Sequence, residues 1–363
     1  MKKIIAFLLT FASLCVLAPH AFAVNVSAQS AVLIEAESGK IIYAKDENTR
    51  RGMASTTKIM TAIVAIENMP LDTIVTVPAQ AAGVEGSSVY LKSGEQITLE
   101  NLLYALMLQS ANDAAETIAY AVGGSIEGFA DMMNAKAEEL GLHDTHFENP
   151  HGLDGETHYT TAYELALISA YALQNETFAR IVSTEKKNIP ANGEIPSRFL
   201  VNHNRLLRTY DDVIGVKTGF TKRCGRTLVS AARRDGVTLV CVTLNDGNDW
   251  QDHRELLDYG FELYENVSLA EVGEFAFDVH VVGGECDKVK AVNTDAFSVT
   301  LAKQRGEITM KTELERFIYA GMPAGSRVGC IRFFIDGKEL GSIPLYTAEK
   351  IPKKSVKRGF FGK

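Results

Sequence analysis

The run "KIMTAIVAI", Lys58 to Ile66, is apolar nearly all round, through Ile59, Met60, Ile63, Val64 and Ile66. A helix without a polar stripe cannot rest at a surface and has to be enclosed by other elements. The chain must therefore build a core large enough to surround a whole helix. Its 363 residues, 46% hydrophobic and 23% charged, have an ordinary globular balance. The length suggests two domains.

The pattern along the chain divides accordingly. From Ala31 to about Tyr264 helical and strand periods mix. "AVLIEAESGKIIYA" predicts a hairpin turned at Ser38-Gly39. "LENLLYALML" predicts a helix that breaks at "QSAN" and resumes as "DAAETIAYAV" before Gly123-Gly124. "EGFADMMNAKAEEL" predicts a third, begun by Ser125 and stopped by Gly141. Thr161 with Glu164 fits a capping box. Antiparallel strands follow in "VIGVKTGF", "RTLVSAAR" and "VTLVCVTL", and "DHRELLDYGFELY" closes the region as a helix. After about Ser268 only period-two segments remain, which predicts a small all-β domain.

The first 23 residues stand apart. "MKK", the short apolar "IIAFLLTFASLCVL" and the small-x-small "AFA" ending at Ala23 predict a secretory signal peptide. The segment is too short for a spanning helix with proper flanks; an uncleaved anchor is the alternative. Losing Lys2 and Lys3 takes the net charge from −8 to −10, which argues against a nucleic-acid partner. Cys224, Cys241, Cys286 and Cys330 are too few and scattered for a disulfide scaffold. Cys241 and Cys330 lie in strand-like runs and are expected as buried free thiols, with a Cys286–Cys330 bridge as the alternative. His143 and His146 have no neighbours to complete a metal set and fit a surface loop.

Chemistry enters just before the buried helix. Ser55 and Lys58 stand at i and i+3, one face of a helix. Burial disfavours an ammonium and lowers its pKa, and a neutral amine beside a hydroxyl can serve as its general base. Alone the pair is a weak signal, because a serine cap with a solvated lysine has the same spacing. Two tripeptides strengthen it. Ser110-Ala111-Asn112 interrupts an apolar helical run, where a hydroxyl and an amide suit a loop. Lys217-Thr218-Gly219 follows the strand "VIGV". The lysine and threonine suit a small carboxylate, and the glycine leaves room for a closely passing substrate backbone.

In this order S-x-x-K, S-x-N and K-T-G resemble the penicillin-binding proteins and serine β-lactamases. "MASTTKIMTA", "LMLQSANDAAE", "FENPHGLDGETHYTTAYELA" and "GVKTGFTKRCGRTLV" resemble the low-molecular-mass D-alanyl-D-alanine carboxypeptidases in particular, over roughly residues 27 to 265. The resemblance implies an α/β (α+β) penicillin-binding/β-lactamase-like transpeptidase domain with an antiparallel sheet and a helical subdomain, followed by a small all-β domain. The expected division is 1–23 signal peptide, 24–265 catalytic, 266–348 β-rich and 349–363 basic tail. It further implies that Ser55 attacks the D-Ala-D-Ala carbonyl and Lys58 takes its proton. The backbone N–H groups of Ser55 and Phe220 would hold the oxyanion, Ser110 would pass a proton to the leaving D-alanine, Lys217 and Thr218 would hold its carboxylate, and Asn112 the substrate backbone. The partners are peptidoglycan stem peptides and β-lactams, in the wall space outside the bacterial cytoplasmic membrane, and no cofactor or metal is needed.

Three departures qualify the resemblance. Many relatives carry a second carboxylate-anchoring arginine before the closing helix; here "NDWQDHRE" places Asp249 there, and Arg254 is the nearest substitute. Cys224 occupies a position that is usually small. The tail "IPKKSVKRGFFGK" gathers Lys353, Lys354, Lys357, Arg358 and Lys363 beside Phe360 and Phe361, so a peripheral membrane contact stands beside a solvated end. Two rival functions remain: a serine β-lactamase, although no E-x-x-L-N pattern is visible, and a penicillin-binding wall protein without turnover.

Overall fold

The computed structural model describes residues 24–354. The expected signal peptide and the last nine residues of the tail lie outside them. The described chain forms two compact units, 24–232 with 239–260, and 233–238 with 261–354.

The first unit is built on a five-stranded sheet. Strand β1 (Ser30–Glu35) and β2 (Ile41–Lys45) form the predicted hairpin, turned where Gly39 takes a positive φ of 67°. The short pairs β3 (Ile74–Thr76) with β4 (Gln96–Thr98), and β5 (Lys186–Ile189) with β6 (Arg198–Val201), lie outside the main sheet. Strands β7 (Val213–Thr221), β8 (Gly225–Arg234) and β9 (Val237–Leu244) complete it in the order β2-β1-β9-β8-β7. Every recorded neighbour pair in this sheet is antiparallel.

Helix α1 (Lys58–Asn68) is the enclosed helix the sequence requires, and residues 58–65 are all buried. It packs among α2 (Leu99–Leu108), α3 (Asn112–Gly123), α4 (Ile126–Glu139), α5 (Ala162–Leu173) and α6 (Glu176–Val182). Each fully buried side chain such as Ile59 or Ile63 contributes roughly 1.5–3 kcal/mol. Ser125 caps α4 through Gly128 N at 2.9 Å. The capping box at Thr161 is only half formed: Thr161 Oγ1 accepts from Glu164 N at 3.0 Å. The Glu164 carboxylate turns outward instead and accepts from His143 N, Asp144 N and Thr145 Oγ1. Those loop donors have no helical partner, so they outcompete the cap. Helix α7 (Asp249–Leu263) closes the region.

The second unit is β-rich. It begins at β10 (Tyr264–Ala270), which pairs with β13 (Phe297–Ala302). The remaining strands, β11 (Ala276–Val282), β12 (Lys288–Val292), β14 (Ile308–Leu314), β15 (Phe317–Tyr319), β16 (Arg327–Ile335) and β17 (Lys338–Thr347), form a sheet in the order β14-β16-β17-β12-β11-β15. Val279, Val289, Ile331, Phe333, Ile343 and Leu345 fill its core. The start of the tail belongs to this packing: Ile351 is buried, and Lys353 bridges Gly284. Cys286 and Cys330 are free thiols, so the alternative bridge does not form. Cys330 is only partly buried: it pairs across the ladder with Glu313 of β14, whose side chain is itself 41% exposed.

Candidate active site

The site is assembled where three segments meet a cleft of about 560 Å³ lined by Ser55, Ser110, Thr218, Gly219 and Phe220, among others. Ser55 lies on a 3₁₀ turn, Ala54–Thr57, and not on α1 itself; Lys58 is the first residue of the helix. Ala54 takes a positive φ of 47°, and Gly152 fits against it because a side chain there would strike Ala54 O. A bonded chain supports the turn. Glu148 N donates to His158 Nδ1 at 3.0 Å, so His158 Nε2 carries the proton toward Thr57 Oγ1 at 2.8 Å, and Thr57 donates to Ala54 O at 2.8 Å. Burial pushes His158 down to about 4, which keeps that imidazole neutral.

Lys58 Nζ stands 3.0 Å from Ser55 Oγ, 2.7 Å from Asn112 Oδ1 and 2.6 Å from His151 O. Lys58 is wholly buried. Burial holds its pKa well below the usual lysine range, the nearby charge of Lys217 lowers it further, and Asp113 opposes both. Ser110 takes a positive φ of 59° at the break between α2 and α3, which turns it toward the cleft. Asn112 begins α3 and donates Nδ2 to Glu85 O at 2.6 Å. Buried Asp113 gathers Ser88 Oγ and the backbone N–H of Val89 and Leu91, drawing the 85–91 loop to the site.

Lys217 is also buried; desolvation lowers it to about 7, and its Nζ donates to Thr218 O at 2.8 Å. Gly219 departs from expectation. The space its side chain would occupy is filled by the protein: Thr227 Oγ1, Ser55 N at 2.9 Å and Thr56 N at 3.1 Å from where a Cβ would stand. The glycine lets β7 press against the serine turn; it does not clear a channel. Phe220 follows, exposed at the cleft.

Arg254 does not substitute for the missing arginine at the cleft. It donates to Thr209 O at 3.0 Å, and Asp249 instead binds Arg226 through both oxygens at 2.8–3.0 Å. Arg226 stands opposite Phe220 in the β7–β8 register and lines the cleft. Sequence reasoning missed it, together with His151 and His158; the Arg226–Asp249 pair spans 23 residues and has no local signature. Cys224 is buried against Gly52, and its Sγ contacts Asp154 Oδ1 at 3.0 Å. Burial raises its pKa, so it is a filler thiol and not a nucleophile.

Comparison with known proteins agrees with this geometry. Residues 17–248 match the D-alanyl-D-alanine carboxypeptidase family, and residues 264–353 match the penicillin-binding protein 5 C-terminal domain. The D-alanyl-D-alanine carboxypeptidase DacF of Bacillus subtilis (strain 168) is 30% identical over 372 residues, covering 97% of this chain and 95% of the relative. DacB2 of Mycobacterium tuberculosis is 35% identical over 254 residues, 68% of this chain and 86% of the relative. The crystal structure of penicillin binding protein 5 from Haemophilus influenzae superposes with a TM-score of 0.68 at 26% identity, covering 91% of this chain and 98% of that one. With two domains matched in order along nearly the whole length of a relative, the chain belongs to the low-molecular-mass penicillin-binding proteins and is a serine-type D-alanyl-D-alanine carboxypeptidase.

Proposed function

We infer that Ser55 is the acylated nucleophile and Lys58 its general base, in removal of the terminal D-alanine from peptidoglycan stem pentapeptides. The observation that carries this reading is Lys58 Nζ 3.0 Å from Ser55 Oγ, with the lysine wholly buried. Three oxygens around Nζ would suit an ammonium, yet burial and the charge of Lys217 favour the amine. The distances accommodate the amine. Its two N–H groups go to the nearer oxygens, Asn112 Oδ1 and His151 O. The lone pair then faces the Ser55 hydroxyl and accepts its proton.

The rest of the cycle follows from position. The oxyanion lies on the N–H groups of Ser55 and Phe220; β7 runs so close to the serine turn that a Cβ on Gly219 would stand 2.9 Å from Ser55 N. Ser110 hands a proton to the departing amine. Asn112 orients the substrate backbone. Lys217 and Thr218 take the terminal carboxylate, and Arg226, held by Asp249, joins them from β8. Water then hydrolyses the Ser55 ester. β-Lactams acylate the same serine. The glutamate nearest in sequence to a β-lactamase-type water activator is Glu164, and its carboxylate is committed to the 143–145 loop. The penicilloyl ester should therefore persist for minutes or longer. The test is D-alanine release from a D-Ala-D-Ala peptide beside cephalosporin hydrolysis. Release with negligible cephalosporin turnover supports the reading; rapid cephalosporin hydrolysis without release contradicts it.

We also infer export through the N-terminal signal, action in the wall space with a part in cell shape, and weak membrane contact by the tail. Lys354, the last described residue, donates its N–H to Gly283 O, next to Val282. Val282 pairs with Tyr319 on the edge strand, where Phe317 and Tyr319 are exposed. Aromatics beside basic residues suit an anionic lipid surface. Co-sedimentation with anionic vesicles should be lost in a chain ending at Lys354; equal binding by both chains would remove the tail from this reading.

A further inference from the structure

One end of the cleft carries more positive charge than a single alanine requires. Three arginines, Arg205, Arg208 and Arg226, are among the residues that line the cleft, against one acidic residue, Asp249, a net of +2. Asp249 is buried, and both its oxygens are taken by Arg226. Arg208 donates one N–H to Asn202 O at 3.1 Å. Arg205 is exposed, and its guanidinium meets no hydrogen-bond or ion-pair partner among the described residues.

These cations stand on the leaving-group side. His203 N donates to Leu108 O at 3.2 Å, and Gln109 Nε2 donates to Val201 O at 3.4 Å. The turn that carries Arg205 and Arg208 (Arg205–Arg208) is thereby tied to the end of α2, next to Ser110. It also packs on β7, the strand of Lys217 and Thr218. D-Alanine brings one carboxylate, which Lys217, Thr218 and Arg226 accommodate. Arg205 and Arg208 then remain, and clustered cations in a cleft raise the local concentration of anions.

We propose that the leaving-group subsite prefers leaving groups with a second carboxylate, an acidic D-amino acid or an amine that belongs to a diacid, over D-alanine itself. The proposal rests on the assignment of Ser110 and Lys217 to the leaving group. The reaction is unchanged. Ser55 Oγ forms an ester with the acyl carbon, the C–N bond breaks, the departing nitrogen takes a proton and leaves as an amine, and water later cleaves the ester.

The test compares kcat/KM for two N-acylated peptides that differ only in the last residue, ending D-Ala-D-Ala or D-Ala-D-Glu. The D-glutamate peptide should be favoured by roughly fivefold at low salt, the scale of an exposed charge pair. The preference should shrink at high salt, as screened attraction does. In Arg205→Gln, and in Arg205→Gln with Arg208→Gln, the ratio should fall to about one, while Arg254→Gln, the same charge change away from the lining, should keep it. Because Arg205 is exposed and unbonded through its side chain, the single variant does not threaten folding. A parent enzyme that prefers D-alanine, or a ratio that Arg205→Gln leaves unchanged, overturns the proposal while D-alanine release stands. Failure to release either residue overturns the assignment of the site as well.

Discussion

In the catalytic unit the buried side chains include Lys58, Ser110, Asn112, Asp113, His151, His158, Lys217 and His253; in the β-rich unit the buried polar side chains among the described residues are Asn293 and Thr347. The latter two only hold turns: Asn293 binds Phe275 N and the carbonyls of Glu271 and Asp295, and Thr347 binds Ser326 N and Pro323 O. Burying an ionisable group is costly unless its surroundings repay it. A fold that needed only stability would resemble the β-rich unit, with an apolar interior and exposed ion pairs such as Lys290–Asp278. Two lysines buried beside one cleft, each with its ammonium disfavoured, are what a chemical task requires.

The largest expected effect falls on the contrast itself. Lys58→Arg places a permanent cation there and cannot supply a neutral base. Acylation by penicillin should fall by about 10²-fold or more, provided the variant still unfolds cooperatively. An arginine variant that acylates near the parent rate would make Lys58 structural and erase the distinction between the units.

Next comes Gly219→Ala. Its Cβ would strike Thr227 Oγ1 and the backbone nitrogens of Ser55 and Thr56. Backbone cannot yield as a flexible side chain does, so the serine turn has to shift. Acylation should drop by about tenfold or more, the scale on which displacement by an ångström acts. Unchanged acylation would mean that β7 and the turn are not in register during reaction.

A smaller effect concerns pH. Lys217 is depressed to about 7, so the free enzyme holds that charge only at lower pH. With a substrate that ends in a carboxylate, kcat/KM should decline as pH rises through about 7. The same peptide ending in an amide, which does not need the cation, should lack that decline. Identical profiles for both would take Lys217 out of carboxylate binding.

The smallest effect on acylation belongs to the other region. Ile331→Ala removes core volume from the β-rich unit and should destabilise it by about 2–5 kcal/mol, seen by denaturant unfolding. The acylation rate at a temperature where the variant remains folded should change less than twofold. A larger loss would join the two units energetically.

How much of this was legible in the sequence depended on range. Ser55 with Lys58, the α2–α3 break at Ser110 and the alternation after Ser268 are local patterns, and each appears where its spacing predicts. The β5–β6 hairpin has no clear signature, because each strand is only four residues long and Pro190 and Pro196 stand in the connection between them. The cap at Thr161 is only half formed because Glu164 serves a loop about twenty residues away. His158, His151 O and Arg226 entered the site only through tertiary contact. Gly219 makes room for the protein itself and not for substrate: the strand's closeness to Ser55 N depends on how β7 meets the 3₁₀ turn, and no spacing along the chain encodes that.

In the proposed mechanism the buried lysine serves Ser55 and no other hydroxyl at the cleft. The most direct measurement is brief incubation with penicillin followed by mass mapping of the digested protein. A single penicilloyl adduct is expected on Ser55, strongly diminished in Lys58→Arg. An adduct on Ser110, or none on the folded parent enzyme, would contradict it.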